Sequence, residues 1–100
     1  MAWDLLILEE AEKDLDDAFC WYELQVKGLG RKFISCIEDA LQFIRKYPNA
    51  SPEVYKNIRR RVTPKFPFGV YYLLDEDFKL IRVIAFLHFK RGPKIIKNRF

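Results

Sequence analysis

Histidine occurs once, methionine once and cysteine only twice in these 100 residues, and each shortage removes a class of chemistry. Cys20 and Cys36 are too few and too far apart for a zinc knuckle or a disulfide scaffold. Both fall in segments with helical periodicity, so reduced, partly buried thiols are expected. No apolar run approaches the length needed to cross a bilayer. The opening Met-Ala-Trp-Asp has neither the basic region nor the apolar stretch of a secretion signal, which predicts a cytoplasmic protein. Gly-rich phosphate loops, nucleophile elbows and zinc-ligand spacings are missing, and no cofactor or metal is expected. There is no internal repeat and no interdomain linker, so residues 1–100 are read as one domain.

Bulky apolar material is plentiful. Half of the residues are hydrophobic, and nine Phe with five Tyr can fill a single small core. Charge is unevenly placed. Residues 1–50 hold ten acids against six Lys/Arg, whereas residues 51–100 hold four acids against twelve Lys/Arg. A second half at +8 is suited to an anionic partner, either nucleic acid or an acidic protein segment.

The run Trp3–Leu8 is short and apolar and predicts a strand. From Glu9 the period changes: Ala11, Leu15, Ala18, Phe19, Tyr22 and Val26 recur at helical spacing. Glu9, Glu10 and Glu12 suit the positive end of that helix, and Gly28 suits its stop. Leu29, Phe33, Ile37, Ala40, Leu41 and Ile44 make the stripe of a second helix, closed by Arg45, Lys46 and Pro48. Strand-like runs follow at about 54–63, 66–74 and 79–89, the last two joined by Asp75-Glu76-Asp77. Lys90–Phe100, with five basic residues, reads as an appended tail. The order β-α-α-β-β-β predicts an α+β domain. Its N-terminal strand and helical hairpin would pack on one face of an antiparallel sheet.

Strand alternation then assigns faces. In the last strand, Ile81, Val83, Ala85, Leu87 and Phe89 are expected to meet the helices, with Ile58 and Val62 inward in the earlier one. The helix-free face would collect Tyr55, Arg59, Arg61, Tyr71, Arg82, Phe86 and His88. Cations and aromatics together suit stacking on bases and pairing with phosphates, or docking of an acidic amphipathic peptide. His88 is the single side chain able to exchange protons near neutrality without a shifted pKa. A slip of one residue would exchange the two faces.

Three segments carry a family resemblance. Leu8-Glu9-Glu10-Ala11-Glu12-Lys13-Asp14-Leu15 is similar to the strand-to-helix start of the RelE/ParE superfamily of type II toxin–antitoxin toxins. Ile58-Arg59-Arg60-Arg61 followed by Phe66-Pro67-Phe68-Gly69-Val70-Tyr71-Tyr72 resembles its Arg strand and "FPY-x-I-x-Y" strand. Val83-Ile84-Ala85-Phe86-Leu87-His88 with Lys90-Arg91-Gly92-Pro93 resembles its "V-L-A-V-x-H-x-x-R-x-P" ending. The order and spacing cover essentially the whole chain.

The resemblance implies a partner: a cognate antitoxin whose acidic, flexible segment wraps the toxin in a hetero-oligomer, as in plasmid-stabilising addiction pairs. It also implies one of two targets. RelE-like members cut mRNA on the ribosome without metal. There His88 would move protons while Arg61 and Arg82 hold the phosphate, as acid–base and electrostatic catalysis require. ParE-like members are associated with inhibition of DNA gyrase by binding. The Pro67-Phe68 spelling, where some nucleases carry an Arg, and the H-x-x-R-x-P ending place the chain closer to the ParE-like branch. Tyr55, Arg59, Arg61, Tyr71, Phe86 and Arg91 are then the expected binding residues. A non-toxic relative acting only as a binding module is the third expectation.

Overall fold

The computed structural model describes residues 3–100; Met1 and Ala2, at the start of the expected domain, lie outside the described residues. Strand β1 (Asp4–Ile7) leads into helices α1 (Glu9–Gln25) and α2 (Leu29–Lys46). Strands β2 (Glu53–Tyr55), β3 (Ile58–Val62), β4 (Phe68–Asp75) and β5 (Leu80–His88) follow, and helix α3 (Gly92–Arg99) comes last. The α+β class is that predicted, as is the order of one strand, two helices and then the remaining strands. No helix among the described residues is long and apolar enough to cross a membrane.

Local chemistry explains the hairpin of helices. Gly28 adopts φ 88°, a left-handed turn that suits glycine. The Glu23 carboxylate accepts the N–H of Gly28 and that of Gly30, each at 2.9 Å, and so places negative charge at the start of α2. The buried stripe of α2 is Phe33, Ile37, Ala40 and Ile44, with Gly30 closing against α1. Phe33 sits in a ring cluster, its centroid 5.1 Å from Tyr22, 5.4 Å from Phe66 and 5.0 Å from Phe68.

The sheet order is β1-β5-β4-β3-β2. It is mixed rather than purely antiparallel, because β1 runs parallel to β5, Asp4 beside Leu80 and Ile7 beside Val83. The helical hairpin brings the chain back across the sheet, as a parallel neighbour requires. The predicted strand at 54–63 is two strands. Lys56 and Asn57 both take positive φ, 44° and 67°, and make the tight two-residue turn of a hairpin. The expected basic tail is largely a helix, with Pro93 in its first turn.

That last helix changes the architecture, because it gives the sheet a second covered face. One core, under α1 and α2, contains Phe33, Ile37, Ile44, Val70, Tyr72, Ile81, Val83 and Phe86. A second, under α3, contains Ile58, Tyr71, Ile84, Ala85, Leu87 and Ile96. Two of the predicted face assignments are therefore reversed. In β3, Arg59 lies opposite Tyr72 and Arg61 opposite Val70, so both arginines are on the α1/α2 face while Ile58 points to α3. In β5, the partners of Tyr71 and Tyr72 are Ala85 and Val83, which leaves Ile84 as the extra residue of a bulge. Beyond it the alternation changes phase. Phe86 faces α1/α2, and Ala85 and Leu87 face α3, the opposite of simple alternation.

Candidate functional site

The flank of α2 and the edge of β3 enclose a groove of about 780 Å³. While the main stripe of α2 faces the sheet, Leu29, Cys36 and Phe43 look sideways along the next helical row, and Ala40 of the stripe borders the same groove. Val62, Pro64 and Phe66 form the other wall. The Thr63 hydroxyl donates to the Phe66 carbonyl at 2.5 Å and holds the β3–β4 connection in shape. The Arg61 guanidinium lies 3.7 Å above the Phe43 ring, a cation–π contact that supports it without neutralising it. Lys32 and Lys65 are exposed on the rim, and Asp39 is the one acid of the lining. An apolar floor edged by cations suits an amphipathic acidic segment, which would bury its apolar side and pair its carboxylates.

The three consecutive arginines have three different employments. Arg59 donates to the carbonyls of Asn49 and Ser51, at 3.1 and 2.7 Å, and staples the loop after α2 to the sheet. Tyr72 donates to the Pro48 carbonyl at 2.9 Å and holds the same loop. Burial pushes the Tyr72 phenol above its ordinary value, with Ser51, Arg59 and Arg61 pulling the other way. Arg60 lies on the Phe89 ring, 4.7 Å from its centre. Only Arg61 opens into the groove.

Arg82 stands on the α3 face of β5, in register with Leu73, and pairs with Asp75 at 3.4 Å. It is six residues from His88 along one strand, about 20 Å at ~3.3 Å per residue. His88 is on the other face, edge-on to Phe68 with ring centres 5.8 Å apart. Its Nδ1 accepts the Lys90 N–H at 3.1 Å, which leaves Nε2 to carry the proton of the neutral ring. Arg61, Arg82 and His88 are thus not brought together. Tyr71 and Phe86, expected on a binding face, are core side chains at 0% and 1% exposure. Tyr55 packs at the margin of the α3 core.

His88 and Arg91 share a second, smaller cleft of about 320 Å³. Asp14, Asp17, Trp21 and Tyr22 of α1 line its other side, with Phe68, Phe86 and Ile95 among its apolar walls. Sequence reasoning gave no site role to Asp14, Asp17 or Trp21. Lys32 and Lys65 were missed as well, since each is an ordinary surface lysine until the groove is built. No group of three or more His, Cys, Asp or Glu among the described residues converges as a metal site needs.

The family model described as the ParE toxin of the type II toxin–antitoxin system parDE matches residues 5–93. The chain belongs to that family. Among solved structures it resembles the chromosomal ParDE toxin–antitoxin system of P. aeruginosa. The TM-score is 0.76 at 16% identity, over 87% of this chain and 96% of that one. It also resembles the RelBE2 toxin–antitoxin complex of Mycobacterium tuberculosis. There the TM-score is 0.63 at 12% identity, over 88% of this chain and 99% of that one. At such identities the structural likeness speaks for the fold. No curated protein sequence matches the chain.

Proposed function

We propose that this toxin arrests growth in the cytoplasm by binding DNA gyrase rather than by cutting RNA. An acidic, flexible segment of a cognate antitoxin neutralises it by filling the groove between α2 and β3. The observation that carries the reading is the dispersal of the proton-transfer and phosphate-holding candidates. Phosphodiester cleavage needs an acid–base group and cations converging on one phosphate. Here Arg82 and His88 lie on opposite sheet faces, about 20 Å apart along β5. Inhibition by binding makes no such demand. It needs an accessible surface with charge opposite to that of its partner, and the groove with Arg61, Lys32 and Lys65 supplies one. Carried on a plasmid, such a pair would stabilise its inheritance.

The test is induction of the chain without a partner, followed by plasmid supercoiling assays and RNA-end mapping from the same cells. Lost supercoiling with intact RNA is the expected outcome. New RNA ends at codon boundaries would replace gyrase with the ribosome as target. For the antitoxin, Arg61→Glu should weaken neutralisation by about tenfold or more, the scale of reversing one close charge pair across an interface. Unaltered neutralisation would move the docking site elsewhere.

A further inference from the structure

We infer that the cleft beside His88 is a self-association surface, on which two copies of this chain pair about a two-fold axis. Asp17 and Arg91 line the same cleft with opposite charge. Both are exposed, and neither takes part in an ion pair among the described residues. A partner of one charge sign would gain at one of them and lose at the other. A second copy turned by a two-fold brings its own Arg91 to Asp17 and its own Asp17 to Arg91, because an isologous interface repeats each contact twice.

The apolar part of the surface fits the same occupant. Trp21 on the cleft lip is 61% exposed, and Leu24, one helical turn on, is 83% exposed. Exposed large apolar side chains beside a cleft mark an interaction surface, and Trp is the commonest anchor at such surfaces. The cleft offers Tyr22, Phe68 and Ile95 as walls. In the pair, Trp21 of each copy crosses to the cleft of the other, with Leu24 packed at the two-fold. The proposal does not depend on gyrase being the target.

The experiment is sedimentation equilibrium of the purified full chain over a wide concentration range. The mass should rise from that of one chain to that of two. Trp21→Ala, at an exposed position that leaves the core intact, should weaken association about thirtyfold or more, as loss of an interface anchor does. Asp17→Arg alone and Arg91→Asp alone should each be monomeric. An equimolar mixture of those two variants should pair again, since both cross-contacts become attractive. A monomeric wild type would overturn the proposal. So would dimers that survive in both single variants, or a mixture that fails to pair.

Discussion

Arg99 forks onto Asp14, with Nη1 2.9 Å from Oδ2 and Nη2 2.9 Å from Oδ1. Its Nε lies 3.1 Å from the Glu10 carboxylate. The same Asp14 Oδ2 accepts the N–H of Phe86 at 3.3 Å, beyond the last residue at which β1 pairs with β5. One carboxylate therefore joins α1, β5 and α3. Its hydrogen bonds hold the Arg99 guanidinium above its ordinary pKa, against the opposing effect of burial.

Arg99→Ala should cost about 1–2 kcal/mol, the value of charge-assisted bonds with partial exposure allowed for. Amide exchange would show where the loss falls. Protection in α3 should drop well before that of β4 and β5, and uniform loss would deny the latch.

Gly92 passes directly over Tyr71, and a Cβ there would run into the phenol oxygen, with the ring Cζ at 2.8 Å. The Tyr71 hydroxyl is itself buried without a hydrogen-bond partner among the described residues. Tyr71→Phe should therefore be tolerated within about 1 kcal/mol, since no bond is lost. Gly92→Ala should destabilise by about 1–3 kcal/mol through overpacking. Chemical denaturation of the double variant should show a total smaller than the sum of the two. Strict additivity would mean that the overlap is relieved by α3 moving instead.

Burial raises the pKa of Tyr22 above its ordinary value of 10.0. The sign follows from linkage: a raised folded pKa means that the contribution to stability is complete below about pH 10. As pH climbs from there toward the folded value, the unfolded chain alone sheds the proton and stability falls. Tyr22→Phe should make that alkaline decline shallower in urea titrations from pH 9 to 11. Tyr72, raised in the same sense, should keep it from vanishing.

His88→Ala should leave growth arrest unchanged if the toxin acts by binding. A fall of about 10²–10⁴-fold, the usual scale for an acid–base group, would restore a cleavage mechanism. Phe33→Ala serves as the contrasting control. Phe33 is fully buried, so its loss should cost about 3–5 kcal/mol and abolish activity through unfolding.

The two long helices were readable because Phe33, Ile37, Ala40 and Ile44 repeat with a clean period and face one sheet. The central strand was readable for the same reason, Val70 and Tyr72 facing one way and Tyr71 the other. Arg59 and Arg61 were misplaced because arginine counts as a solvent residue in a pattern. Its long stem can lie on a core while its head finds carbonyls or a ring. Ile84 hid a bulge, which leaves no mark in hydrophobicity when every neighbour is apolar. In Lys90–Phe100, Ile95 and Ile96 are the only apolar pair before the terminal Phe, too little periodicity to stand out against five cations. The arginine that anchors the segment has its acid 85 residues away, a separation that local pattern cannot register.

Among the described residues, strand β1 pairs only with β5, its Asp4 beside Leu80. During synthesis the first strand therefore has no ladder partner until residues 80–83 have emerged, while α1 and α2 can meet much earlier. Closing so long a loop is a late and slow event in folding. We expect pulse-labelled amides of β1 to be protected after those of the β4–β5 hairpin, and simultaneous protection would contradict this. A newly made toxin would then pass through an interval in which most of its chain exists and its sheet is still unfinished.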